Sequence, residues 1–147
     1  MALKEDFEAA VQQDLGKGEY KAGIQALAAV DRRRVQLSNP RQCHGSADID
    51  NALKKSQPDS RRWDYVVAVD KTLHFIEVHP AHSSEVKDMA AKKSWLDNWL
   101  RNSQLNRLAA PKHYHWIASD KVAIPKGSKQ WRAAVQMGLK PVTGLRL

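Results

Sequence analysis

The sequence predicts an α/β or α+β domain: a single central mixed β-sheet flanked by helices. Three observations carry that expectation. Apolar residues recur at helical spacing near the N-terminus and again after residue 84. Between them the period drops to two over WDYVVAVD and LHFIEVHP. Beyond the second helical stretch the chain returns to strand-like and then helical patterns. Strands interleaved with helices in this order form one sheet with helices packed on it. A chain of 147 residues, 42% of them hydrophobic, can bury one sizeable core, so residues 1–147 read as one domain.

The first helix is defined by Leu3, Phe7, Ala10, Val11 and Leu15, from about Ala2 to a glycine cap at Gly16. After the GKG interruption, Ile24, Leu27, Ala28 and Val30 predict a second helix ending in the cationic run DRRR at 31–34, a favourable charge for a helix C-terminus. SNPRQCHG reads as a loop, and Ser46 as the cap of a short third helix through SADIDNALKKS, with Asp48 and Asp50 in its first turns. QPDSRR is a turn. WDYVVAVD and LHFIEVHP then form an antiparallel hairpin joined at Asp70 and Lys71, its second strand closed by Pro80. From Ser84 onward the stripe Val86, Met89, Lys93, Leu96 and Leu100, with Trp99 beside it, predicts the longest helix. LNRLAAP links it to a strand at HYHWIAS, which KVAIP extends or follows. SKQWRAAVQMG is a short helix and KPVTGLRL a last strand.

The 24 Lys and Arg residues against 16 Asp and Glu leave a net charge of +8, which favours polyanionic partners, nucleic acid first among them. The lone Cys43 excludes an internal disulfide framework, and the polar start MALKEDFEAAVQQ lacks the apolar core of a signal peptide. No apolar run approaches the ~20 residues of a membrane span. The expectation is a cytoplasmic protein with no membrane partner, its oligomeric state open, a homodimer included.

The chemistry concentrates in FIEVHPAHSSEV, residues 75–86. Side chains alternate along a strand, so Phe75, Glu77 and His79 share one face while His74, Ile76 and Val78 share the other. Asp64 stands at the entrance of YVVAV, and an antiparallel partner with a short turn brings it close to Glu77 and His79. Carboxylates at the ends of adjacent strands suit a hard divalent cation, which activates water and stabilises charge on a phosphoryl group. The competing reading makes Asp64 a strand cap, pairs Glu77 with a nearby Lys or Arg and leaves His79 at the surface.

With a leading helical region, WDYVVAV, FIEVH, a long helix and then strand, helix and strand, the chain resembles the PD-(D/E)XK nuclease superfamily over most of its length after about residue 40. The resemblance implies a restriction-endonuclease-like core at 41–147 behind an N-terminal helical part at 1–40. It implies a metal-dependent nuclease acting on DNA or RNA phosphodiester bonds, with Mg²⁺ or Mn²⁺ as cofactor. Asp64, at the start of the second core strand, and Glu77, on the third, would hold the metal, and His79 stands where the family's E-x-K motif has lysine. The chain therefore reads E-x-H. Lysine supplies a fixed positive charge, whereas histidine is mostly neutral at pH 7 and acts instead as a general base or as a nitrogen ligand that shifts preference towards Mn²⁺ or Zn²⁺. Lys87, Lys92 and Lys93 lie on the following helix, where the superfamily sometimes relocates its functional lysine. The alternative is a nuclease-fold module without catalysis that binds nucleic acid or a protein partner.

Phosphate contacts are expected at Arg61, Arg62, Lys92 and Lys126. Cys43, His44, His79 and His82 would make four zinc ligands, but their spacing matches no standard closed site. Of the five tryptophans, Trp95, Trp99 and Trp116 fall on apolar faces and read as core.

Overall fold

A computed structural model describes residues 2–147. Helix α1 (Leu3–Leu15) forms as its apolar spacing predicts, burying Phe7, Ala10, Val11 and Leu15. It ends at Gly16, whose φ of 115° no side-chain-bearing residue adopts readily. The helix expected from Ile24 does not form; only the single turn α2 (Ala29–Arg32) is helical. Gly18 and Gly23 both take positive φ and break the run, while Leu27 plugs into the core and the Ala26 N–H donates to Ser46 Oγ. Over residues 2–40 the N-terminal part is thus one long helix followed by mostly irregular chain with a single helical turn and a two-residue strand, rather than a helical pair.

Strand β1 (Val35–Gln36) follows, and then β2 (Cys43–Asp48), which occupies the stretch read as a loop and a helix start. Ser46 lies within β2, and it is Asp48 that caps the short α3 (Ile49–Leu53), its Oδ1 accepting from the Asn51 N–H at 2.9 Å. Strands β3 (Tyr65–Val69) and β4 (Thr72–His82) make the expected hairpin around Asp70, which has a φ of 53°. Pro80 does not close β4. It sits at the irregularity between His79 and Ala81, where the ladder asks for no N–H, so the strand runs on to His82.

Helix α4 (Val86–Leu100) then crosses over to β5 (Lys112–Ala123), α5 (Lys129–Gln136) starts on a Ser128 cap, and β6 (Leu145–Arg146) ends the chain. The central sheet has the order β2-β3-β4-β5; the first three strands form an antiparallel meander and β5 runs parallel to β4. The fold is therefore α+β, a mixed four-stranded sheet flanked by helices. The expected last strand does not join this sheet. β6 pairs in parallel with β1 in a separate ribbon, tied to the centre through a bridge between Val142 and Ile117.

Strand alternation sorts the core into two layers. Val66, Ala68, Leu73, Phe75 and Trp116 face α1 and α4, meeting Phe7, Val11, Met89, Leu96 and Leu100. Tyr65, Val67, Val69, Ile76 and Ile117 face the other way, against Leu27 and Val35. Each such side chain, removed from water, contributes about 1.5–3 kcal/mol. Trp63 and Trp116 are wholly buried, whereas Trp95 and Trp99 stack with ring centroids 5.9 Å apart at the rim of the α4 layer. Among the described residues no helix is long and apolar enough to cross a membrane.

Candidate active site

Asp64 immediately precedes β3, one rung beyond the Tyr65–Ile76 pair, where it faces Glu77 of β4. There the carboxylates take over from the backbone ladder. The Asp64 N–H donates to Glu77 Oε1 at 3.0 Å, and the Val78 N–H donates to Asp64 Oδ2 at 2.9 Å. The Asp64 carbonyl accepts from the Ile49 N–H at 2.8 Å, so the site is also pinned to the start of α3. Alternation puts Glu77 on the helix-covered face, where it is 1% exposed.

The countercharge to Glu77 comes from α4. Lys92 Nζ lies 3.1 Å from Glu77 Oε2 and donates to the Arg62 carbonyl at 3.0 Å. Glu85, Asp88 and Lys92 stand at i, i+3 and i+7, one stripe of the helix and its preceding turn, and that stripe faces the end of β4. His79 sits between strand and helix. Its Nδ1 is 3.5 Å from Glu77 Oε2, and its Nε2 is 2.8 Å from Glu85 Oε1 and 3.3 Å from Asp88 Oδ2. The indole N–H of buried Trp116 donates to the His79 carbonyl at 3.1 Å and fixes the backbone there.

These neighbours set the charges. Burial, and then the charge of Glu77, push the Asp64 carboxyl up to about 8. His79 is pushed up from its ordinary value, chiefly by its hydrogen bond to Glu77 and further by Glu85, against the opposing effect of burial. The imidazole at position 79 therefore leans towards the cationic form.

Two donor sets adjoin. Asp64 and Glu77 offer oxygen to a hard cation; a divalent ion would favour the ionised form of Asp64 that burial and the charge of Glu77 oppose. Both Glu77 oxygens already have partners, so an ion there must share Oε2 with Lys92 or displace it. One ligand atom from each of His79, Glu85 and Asp88 lies within 4.8 Å of the others, a nitrogen-and-oxygen set nearer the surface. Its mixed donors suit Mn²⁺ or Zn²⁺.

The structure thus brings together Asp64, Glu77, His79 and, of the three helical lysines considered, Lys92. Lys87 is exposed; Lys93 pairs with Asp97 and lies 4.1 Å above the Tyr114 ring. Arg61 is exposed and pairs with Asp88. Arg62 turns inward, binding Asp50 Oδ1 at 2.9 Å and the Gln57 carbonyl, which leaves little of its guanidinium for a phosphate. Lys126 is exposed in the turn before α5. Cys43, His44 and His82 join no ligand group among the described residues, and His44 Nε2 instead meets the Asp70 carbonyl at 2.8 Å. Glu85 and Asp88 escaped the sequence reading, although the i, i+3, i+7 spacing of SSEVKDMAAK was visible.

No protein-family model matches the chain, and no curated protein or solved structure matches it at a significant level.

Proposed function

We propose that this protein is a divalent-cation-dependent nuclease of the PD-(D/E)XK type with a restriction-endonuclease-like core, acting on DNA or RNA phosphodiester bonds in the cytoplasm. The observation that carries this reading is the 3.1 Å pair between Lys92 and Glu77, a lysine supplied from the helix to the strand position whose motif lacks one. Strand order supports it. With β2 as the first strand of the sheet, Asp64 begins the second and Glu77 lies on the third, followed by a helix and a parallel strand. The net charge of +8 suits a polyanionic substrate, and the lone free Cys43 suits a reducing compartment.

In this reading Asp64 and Glu77 hold Mg²⁺ or Mn²⁺. The bound ion supplies a Lewis acid and an activated water. Lys92, its side chain 16% exposed, presents a fixed positive charge to the phosphate or the attacking water. His79, held by Glu85 and Asp88, keeps a proton available beside Glu77. Arg61, exposed and paired with Asp88, is a cation at this site for the backbone of the substrate once it exchanges that partner for a phosphate. A second reading, a nuclease fold without catalysis that binds nucleic acid or a protein, is favoured by one observation: Glu77 is almost wholly buried with both oxygens engaged.

Cleavage of single- and double-stranded DNA and RNA with Mg²⁺, Mn²⁺ or Zn²⁺ separates the two. The native protein is expected to cut, and Glu77→Ala and Lys92→Met to lose at least about 100-fold, the lower range of what a positioned catalytic group contributes. Folded native protein that cuts nothing with any metal, or variants that cut equally well, would overturn the catalytic reading.

A further inference from the structure

The face of the central sheet turned away from Glu77 carries a second cluster. HYH at 113–115 puts two imidazoles on one face of β5, about 6.6 Å apart along the strand. β5 runs parallel to β4 with His113 directly opposite His74 and His115 opposite Ile76, so His74 lies within reach of both. The rings converge. His74 and His115 stack with centroids 5.1 Å apart, and His74 Nδ1 shares a hydrogen bond with His115 Nε2 at 2.9 Å. The edge of His113 meets His74 with centroids 5.5 Å apart.

Among the described residues no carboxylate or backbone group bonds any of the three rings, and the inner pair satisfy only each other. Two nitrogen ligands on a tetrahedral Zn²⁺, each at about 2.0–2.1 Å from the ion, lie roughly 3.3 Å apart. The facing nitrogens of His74 and His115 are already close to that separation. A tautomer shift that moves their shared proton to an outer ring nitrogen frees both lone pairs, with no net loss or gain of a proton. His113 is exposed, so its ring is free to turn towards the same point and leave the solvent side open.

We propose that His74, His113 and His115 form a tris-imidazole site for a borderline divalent cation such as Zn²⁺, with its fourth position open to water, distinct from the Asp64–Glu77 site. Three neutral nitrogens and no carboxylate select against Mg²⁺ and Ca²⁺ and for Zn²⁺, Ni²⁺ or Cu²⁺. An open fourth position is the arrangement of zinc centres that bind a water or an exchangeable ligand rather than of closed structural ones. The inference stands independently of the nuclease reading, because it uses the other face of the sheet.

The test is calorimetric titration of Zn²⁺ into a Glu85→Gln, Asp88→Asn background, which removes the other ligand group, in the presence of excess Mg²⁺. One Zn²⁺ equivalent is expected to bind. Adding His113→Ala, an exposed substitution, should weaken it by more than the roughly 10–100-fold that loss of an outer-sphere partner costs. Co²⁺ in place of Zn²⁺ should give the intense visible bands of a tetrahedral site, and these should vanish with His113→Ala and with His115→Gln. Absence of Zn²⁺ binding in this background, or binding and Co²⁺ bands indifferent to both histidine variants, would overturn the proposal.

Discussion

Lys92 of α4 and Glu77 of β4 form a largely buried ion pair, Nζ to Oε2 3.1 Å, although they stand 15 positions apart in the chain and only the helix crossover brings them together. The cation that faces this strand carboxylate comes from the helix, and His79 bridges the same carboxylate and the acids of α4.

Removing one partner of a buried pair leaves the other charged and unpaired, which costs about 3–5 kcal/mol, whereas removing both costs far less. Lys92→Met should therefore destabilise the protein markedly, towards the lower end of that range because the lysine side chain keeps 16% exposure. Glu77→Gln combined with Lys92→Met should cost less than the sum of the single substitutions. Urea unfolding of the four proteins measures the coupling. Additive effects would mean that the pair contributes nothing beyond its separate groups.

Asp64 imposes a pH dependence whose sign is fixed by its raised value. The folded carboxyl keeps its proton up to about 8, while the unfolded one releases it near 3.9. Between those limits the folded state binds more protons, so this group's contribution to stability is lost as pH rises towards 8. The slope is at most about 1.4 kcal/mol per pH unit for a single proton. Unfolding measured at pH 6.5 and 8.5 should show a larger loss for the native protein than for Asp64→Asn. Mg²⁺ or Mn²⁺ should restore more stability at the higher pH, where the ion competes with fewer protons.

The hairpin, α1 and α4 were legible because each keeps one strong period over its whole length; strand alternation aligned Glu77 with His79, and antiparallel pairing across the short turn brought Asp64 to them. β2 was not. CHGSAD has no large aliphatic residue, and it is a strand because Tyr65–Val69 pairs with it and Lys21 bridges to Ser46 from the far side. The apolar residues at 24–30 mimic a helix, but once Gly18 and Gly23 turn the chain only Ile24 and Leu27 pack against the sheet, and Val30 is exposed. Which of three helical lysines reaches Glu77 depends on the rotation of α4 about its axis, set by the seating of Met89 and Leu96 in the core, and local sequence does not encode it. Glu85 and Asp88 were hidden by a different ambiguity, since acids near a helix start are adequately explained by its dipole.

Gly45 is the position in β2 with the least tolerance. Its φ is 141°, and a Cβ there would collide with the ring of Tyr20, whose hydroxyl donates to the His44 carbonyl at 2.6 Å. Gly45→Ala should cost at least ~2 kcal/mol, combining overpacking with backbone strain. Adding Tyr20→Ala removes the collision but not the strain, so thermal unfolding should show only partial relief. Full tolerance of Gly45→Ala would mean that the bulge between Cys43 and Gly45 relaxes freely.

The histidine pair on the other face sets an acid limb of opposite sign. Burial, with their neighbouring histidines, pushes His74 and His115 down to about 4, while unfolded histidine titrates near 6.5. The unfolded state therefore binds more protons between these values, and the stabilisation present above 6.5 is lost as pH falls towards 4. Replacing both rings by Phe keeps the cross-strand stack and removes the titration. In chelator, so that no bound cation contributes, the native protein should lose stability between pH 6.5 and 5 more steeply than His74→Phe, His115→Phe. That window lies above the ordinary titration range of carboxylates. Parallel slopes would show that the two imidazoles accept protons in the folded state as easily as in the unfolded chain.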